Sequence, residues 1–211
     1  MRTTERREQL RDRLVEAAER TVASQGLAAV RARDLAQEVG CALGSIYTVF
    51  PDLDALVLAV NARTLARLDA ALAPRPAAAP SPRGDALEDA IDDLVGLALR
   101  YLDFAAANPL PWRALFEHRM PEGQPVPEAH LAAQMRLFAY VEEPLRALLP
   151  GLKGRERALV ARSLFSAVHG VVGLGLEEKL VPMPMATLRR QLALLVRATA
   201  RGLPPEQDAA D

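Results

Sequence analysis

Apolar residues recur at helical spacing along most of the chain. Leu10, Leu14, Ala18 and Val22 fall four apart with charged residues between them, which predicts an amphipathic helix over 3–25. Gly26 follows where a left-handed residue would end that helix. Two short helices are expected next, at 31–39 before Gly40 and at 43–50 before Pro51. Pro51-Asp52 marks a turn and a new start, and Leu53, Leu56, Val60, Leu65, Leu68 and Leu72 carry a longer helix over 52–73.

The stretch 74–84, PRPAAAPSPRG, has four prolines in eleven residues and reads as a linker. Leu87, Ile91, Leu94, Ala98, Tyr101 and Leu102 restore the helical period over 85–107. Pro109 and Pro111 are expected to break it before a short segment at 112–119, and 120–127 forms a second proline-rich loop. Long helices are predicted at 128–149, with Pro144 inside, and at 155–180. A last helix follows Pro182 and Pro184 at 185–201, with a frayed polar tail after Gly202. No internal repeat is present.

Composition agrees. Alanine (39) and leucine (34) make up about a third of the 211 residues, while aromatics are only 4%. Strong helix formers with few β-branched or aromatic residues predict an all-α protein.

Charge narrows the function. Twenty-six basic residues against 27 acidic give a net charge of −1, so no uniformly basic surface exists for unspecific nucleic-acid binding. DNA binding would need a local patch or oriented helix ends. The single cysteine, Cys41, excludes an internal disulfide framework and a cysteine-based zinc site. Arg2, Arg6 and Arg7 are followed by further charges, unlike a signal peptide. The most lipid-like run, 164–176, has 13 residues and contains His169, short of the roughly 20 needed to span a bilayer. A soluble, cytoplasmic protein without membrane contact is expected.

The informative stretch is 27–56, LAAVRARDLAQEVGCALGSIYTVFPDLDAL. Two short helices joined by a glycine-containing turn have helix-turn-helix spacing. Leu35 and Val39 on the first, with Ile46 and Phe50 on the second, can form the core between them, and Ala36 is small enough to permit close approach. A second helix of eight residues would be roughly 12 Å long, which a major groove of that width accepts. Packing Ile46 and Phe50 inward turns Leu43, Gly44, Ser45, Tyr47 and Thr48 toward the groove. Gly44 and Ser45 would offer unpaired N–H groups to a phosphate or base edge. Tyr47 could reach a phosphate, and Thr48 could place a methyl on thymine or donate a hydrogen bond. Arg31 and Arg33 add positive charge. The alternative for the same residues is a plain helical hairpin with a solvated face.

The segment DLAQEVGCALGSIYTVFPDLDALV resembles the N-terminal domain of the tetracycline-repressor (TetR) family, through Leu35-Ala36, Gly40, Gly44, Tyr47, Phe50 and Asp54-Ala55-Leu56. The resemblance covers about residues 8–60. It implies a three-helix helix-turn-helix domain over 1–51, a connecting fourth helix, and a larger helical ligand-binding and dimerisation domain over 52–211. Three positions depart from the family pattern. Leu53 stands where a lysine is common, Arg31 where a small hydroxyl residue caps the second helix, and Val49 where a histidine or other polar group is frequent. These departures shift the expected DNA contacts toward Arg31 and Arg33. PWRALFEHRMPEG and FSAVHG resemble a subgroup named for a Trp-His-Gly signature, with Phe165 in the tryptophan's place and His169 and Gly170 retained.

Tyr101, Phe104, Trp112, Phe116, Met120, Met135, Phe138, Phe165 and His169 are the candidates for an apolar effector pocket. Ordinary core is the competing reading for each. His118 would form a surface pair beside Glu117, and His130 would be exposed. Ser166, Gly170 and Gly173 put small residues on nearly one helix face and, with Leu192, Leu195 and Val196, make a candidate dimer surface. TetR relatives dimerise through their last two long helices, which matches these positions. The expected partners are a palindromic double-stranded DNA operator, an unidentified small-molecule effector and a second copy of the chain. No HExxH, GxGxxG or GxSxG motif occurs, so no enzyme, metal or cofactor is expected. The expected function is a ligand-responsive regulator, a repressor released by its effector. The alternative is a helical carrier or interaction module that no longer reads DNA.

Overall fold

The computed structural model describes residues 2–73, 86–177 and 183–203. The expected linker at 74–84, the end of the helix expected to reach 180, and nearly all of the tail after Gly202 lie outside these. Among the described residues there are nine α-helices and one 3-10 turn, with no strand. The helices are α1 (Arg2–Gln25), α2 (Ala32–Val39), α3 (Leu43–Ile46), α4 (Leu53–Leu72), α5 (Ala86–Ala107), α6 (Pro109–Glu117), α7 (Glu128–Leu148), α8 (Gly154–Leu176) and α9 (Met185–Arg201). The all-α expectation holds.

Two compact units divide the chain. The first comprises residues 1–68 and 107–133, the second 69–106 and 134–211. In the first, Leu14, Ala18 and Val22 of α1 meet Leu35, Ala36 and Val39 of α2, Ile46 of α3, Phe50, and Leu56, Val57 and Val60 of α4. Ala114 of α6 joins the same core, and α6 packs on α1. Buried Asn61 of α4 donates to the Ala114 carbonyl at 3.3 Å. Glu19 of α1 pairs with Arg63 and Arg67 of α4 at 3.2 and 2.9 Å, and Arg20 with Glu38 of α2 at 2.7 Å.

The helix ends follow from local chemistry. Gly40 adopts φ 72°, ψ 41°, the left-handed conformation that glycine takes without strain. It lets Cys41 N–H close on Ala36 O at 2.9 Å and Gly40 N–H on Gln37 O at 3.2 Å, a Schellman-type stop. Gly26 also has positive φ (84°), but its ψ of 174° is extended rather than the expected left-handed helical value. Asp52 caps α4 by accepting Ala55 N–H at 2.7 Å. Arg31 stands at the N-cap of α2 and makes no side-chain cap bond.

Pro109 and Pro111 begin α6 instead of delaying a helix to residue 112. In the first turn an N–H has no intrahelical acceptor, so proline's missing donor costs nothing there. In the second unit Ile91, Leu94, Ala98, Tyr101 and Leu102 of α5 are buried as the stripe predicts, whereas Leu87 is exposed. Helix α8 has 23 residues and is long and apolar enough, by length and composition alone, to cross a membrane. The 13-residue apolar run at 164–176 is the C-terminal part of this helix, whose start one residue before the expected 155 brings in charged first turns. Only 22% of its most apolar stretch is buried within the chain.

Gly40→Ala should destabilise the protein by about 1–2 kcal/mol, the cost of holding an L-residue left-handed. No neighbour lies within 4 Å of the added Cβ, so a clash would add nothing. Urea unfolding of both proteins measures the difference.

Candidate nucleic-acid interface and effector region

Helix α3 is one turn, not the eight residues expected. Beyond Ile46 the bonding is mixed, with i→i+3 bonds from Thr48 N–H to Ser45 O at 3.2 Å and Val49 N–H to Ile46 O at 3.0 Å, and an i→i+4 bond from Phe50 N–H to Ile46 O at 2.9 Å. The Thr48 hydroxyl also donates to Ser45 O, at 2.7 Å. A hydroxyl that competes for a carbonyl in this way favours ending a helix over extending it. The segment 47–50 is thus a tight turn whose direction is set by what it packs against.

Its two sides differ sharply. Ile46 and Phe50 are 0% and 3% exposed, while Tyr47 is 52% exposed, and Leu43, Gly44 and Thr48 are exposed as well. Ser45 is half-buried, and its N–H is engaged by Ala42 O at 2.9 Å, so it is not the free donor expected. Thr48 has already committed its hydroxyl proton, which leaves a methyl and oxygen lone pairs for an outside partner. Arg31 and Arg33 are exposed on the short stretch that opens α2.

The nine effector candidates are distributed over both units. Tyr101, Phe104, Met135, Phe138, Phe165 and His169 belong to the second unit, and Trp112, Phe116 and Met120 to the first. Four of the former are in contact. The Phe165 ring lies edge-on to Tyr101 and Phe138, with centroids 5.6 and 5.4 Å apart, and 5.7 Å from the His169 ring. Tyr101 Oη and His169 Nδ1 share a 2.8 Å hydrogen bond. Phe104 is buried and Met135 exposed. In the first unit Trp112 stacks edge-on with exposed Phe116 at 5.7 Å.

Burial lowers the His169 pKa, so the imidazole is neutral at neutral pH. Tyr140, which sequence reasoning did not single out, donates to Asp69 Oδ1 at 2.9 Å. That bond to a carboxylate is the main cause of its raised pKa.

Two histidine expectations are corrected. His118 is no surface partner of Glu117: its Nε2 lies 2.9 Å from Asp54 Oδ1 at the start of α4, with the ring largely covered. No local pattern links residues 64 apart. His130 is half-buried rather than exposed, and burial followed by the nearby His118 lowers its pKa. Of the dimer candidates, Leu192 and Val196 are buried within the chain. Ser166 is exposed and Gly170, Gly173 and Leu195 are partly so.

Burial holds the His130 and His169 pKa values in the folded chain below the ordinary histidine 6.5, so the unfolded chain binds more protons just below that pH. Their contribution to stability is full above pH 6.5 and declines as pH falls through the folded values. Urea midpoints at pH 7.5 and 5.5 should therefore drop on acidification, and His169→Gln should show a smaller drop than the wild type.

The profile for bacterial regulatory proteins of the tetR family matches residues 14–60, and that for a tetracyclin repressor-like C-terminal domain matches 94–209, which contains Phe165, His169 and Gly170. No curated protein matches the sequence. Solved structures share the fold. A protein of unknown function from Rhodococcus sp. RHA1 is 24% identical, with a TM-score of 0.67 over 92% of this chain and 95% of that one. RolR in complex with resorcinol is 17% identical, with a TM-score of 0.59 over 97% and 98%. BioQ with its natural double-stranded DNA operator is 16% identical, with a TM-score of 0.59 over 91% and 98%. With one profile spanning the helix-turn-helix and another more than half of the chain, the protein belongs to the TetR family of DNA-binding transcriptional regulators.

Proposed function

We propose that the chain is a homodimeric repressor that grips a palindromic DNA operator and releases it when a small molecule binds its C-terminal half. The observation that carries this reading is the two-sided turn at 46–50, where burial of Ile46 and Phe50 leaves Tyr47 and Thr48 facing out. Tyr47 supplies a hydroxyl for a phosphate, and Thr48 a methyl for a thymine. Leu43, Gly44 and Ser45 form the rim, and Arg31 and Arg33 neutralise phosphates. With a net charge of −1, nothing else in the composition favours a polyanion, so recognition rests on this patch. The working division is a DNA-binding domain over 1–51 and an effector and dimerisation domain over 52–211, acting in the cytoplasm without catalysis.

A one-turn helix reads few bases, so specificity requires two copies on half-sites about one helical turn apart. The apolar surface of the second unit supports a dimer. Leu159 and Leu174 of α8 and Leu194 of α9 are 56%, 59% and 60% exposed. Apolar area of this kind on a chain with a near-neutral charge calls for cover. The aromatic cluster of Tyr101, Phe138, Phe165 and His169 suits an apolar effector carrying one hydrogen-bonding group. Such an effector acts only through its different affinity for the two states of the dimer, typically about 1–3 kcal/mol.

Selection from a random duplex library tests the reading. The wild type should enrich a palindrome with half-sites about one turn apart. On that duplex Tyr47→Phe should lose about 1 kcal/mol, equally across sequences. Thr48→Ala should lose about 1–3 kcal/mol at one or two base pairs only. Leu174→Asp should sediment as a monomer and bind the palindrome weakly. Enrichment of no duplex at low salt would reject the proposal.

A further inference from the structure

Three arginines of α1 reach across to the helix-turn-helix. The Arg7 guanidinium donates to the Thr48 carbonyl, and that of Arg13 to the Val39 carbonyl at the end of α2. Arg11 lies over the Phe50 ring, 5.1 Å from its centroid. Arg7 and Arg11 are one helical turn apart, so they share a face of α1, and both land on the segment that follows α3. Carbonyls at a helix C-terminus lack intrahelical donors and carry partial negative charge, and a guanidinium satisfies both needs.

The placement matters because α3 ends at Ile46. Tyr47, still right-handed at φ −75° and ψ −4°, caps it and Thr48 lies beyond it, so a single helical turn alone does not fix the course of 47–50. From outside the turn, the burial of Phe50, the Arg11–Phe50 contact and the Arg7–Thr48 bond fix it. Resting on the DNA-reading role proposed above, we infer that Arg7 and Arg11 are positioning residues for base discrimination: they hold the 47–50 backbone in register with the groove and do not act as phosphate neutralisers. This use of α1 is invisible in the helix-turn-helix motif itself. Both residues lie on the exposed side of a helix whose sequence reads as an ordinary charged face.

A positioning arginine and a phosphate-binding arginine leave different signatures. Removing a phosphate contact weakens all sequences alike and reduces the slope of log K against log salt by about 1. Removing a positioning contact lowers the preference for the selected site and leaves the slope unchanged. The full-length wild type, Arg7→Ala and Arg11→Ala are titrated over a salt series against the duplex the wild type enriches and against an unrelated duplex. Circular dichroism melts accompany each variant.

For Arg7→Ala the ratio of the two affinities should fall about tenfold, the scale of one lost base contact, with an unchanged salt slope. Arg11→Ala should move in the same direction, and provides the test if Arg7→Ala fails to fold. A slope reduced by about 1 with the ratio intact would overturn the inference in favour of phosphate contact. So would variants that match the wild type in both quantities. If the wild type itself enriches no duplex, the DNA-reading role falls and the inference with it, whereas a wild type that discriminates beside unaffected variants removes the inference alone.

Discussion

The insertion of Ile46 and Phe50 into the core of the first unit is the interaction on which the DNA-reading surface depends. A four-residue helix has no stability of its own, because nucleating a turn costs more than its few hydrogen bonds return. What holds α3 is the apolar area it buries in the core shared with α1, α2 and α4, where Ile46 is fully buried in one cluster with Leu14, Leu35 and Leu56. The same burial decides which residues face out. A rotation that exposed Ile46 would lose about 1.5–3 kcal/mol of transfer free energy, so Tyr47 and Thr48 are presented outward as a consequence of core packing.

Polar contacts then sharpen what packing sets roughly. Gly40 makes the sharp exit from α2, Asp52 closes the start of α4, and the reading turn is held between them. Asn61 on Ala114 and His118 on Asp54 attach α6 and the residue after it to α4 within the same unit. The second unit follows another logic. Its aromatic cluster is joined through a neutral histidine and a tyrosine hydroxyl, and a large part of its apolar helix surface stays uncovered by its own chain.

Helices and their order were legible in the sequence because apolar spacing and the Gly/Pro punctuation agree. The last helix, 185–201, was read to the residue. The misses have physical causes. Helix α3 was overestimated because Tyr47 and Thr48 fit the helical period, whereas the Thr48 hydroxyl takes the Ser45 carbonyl and tightens the turn. The start of α6 was missed by treating Pro109 as a breaker where it is a first-turn residue. Periodicity correctly gave Leu192 and Val196 an apolar face but could not tell what covers it, and both are buried within the chain. The effector candidates were chosen by residue type, and only three-dimensional packing shows that Tyr101, Phe138 and His169 meet around Phe165. The grip of Arg7, Arg11 and Arg13 carries no local signature at all, since arginines on an exposed helix face look alike whatever they touch.

Native-state hydrogen exchange tests most directly whether the reading turn borrows its order from the core. The Phe50 amide, bonded to Ile46 O at 2.9 Å, is the probe, and the Gly26 amide, bonded to Val22 O at 3.0 Å at the end of α1, is the reference. If the turn borrows its order from core insertion, both should open with the same free energy and fall together in Ile46→Ala, by about 2–5 kcal/mol. A Phe50 amide that exchanges far faster than the reference, and is unmoved by Ile46→Ala, would show a turn ordered independently of the core and contradict this account.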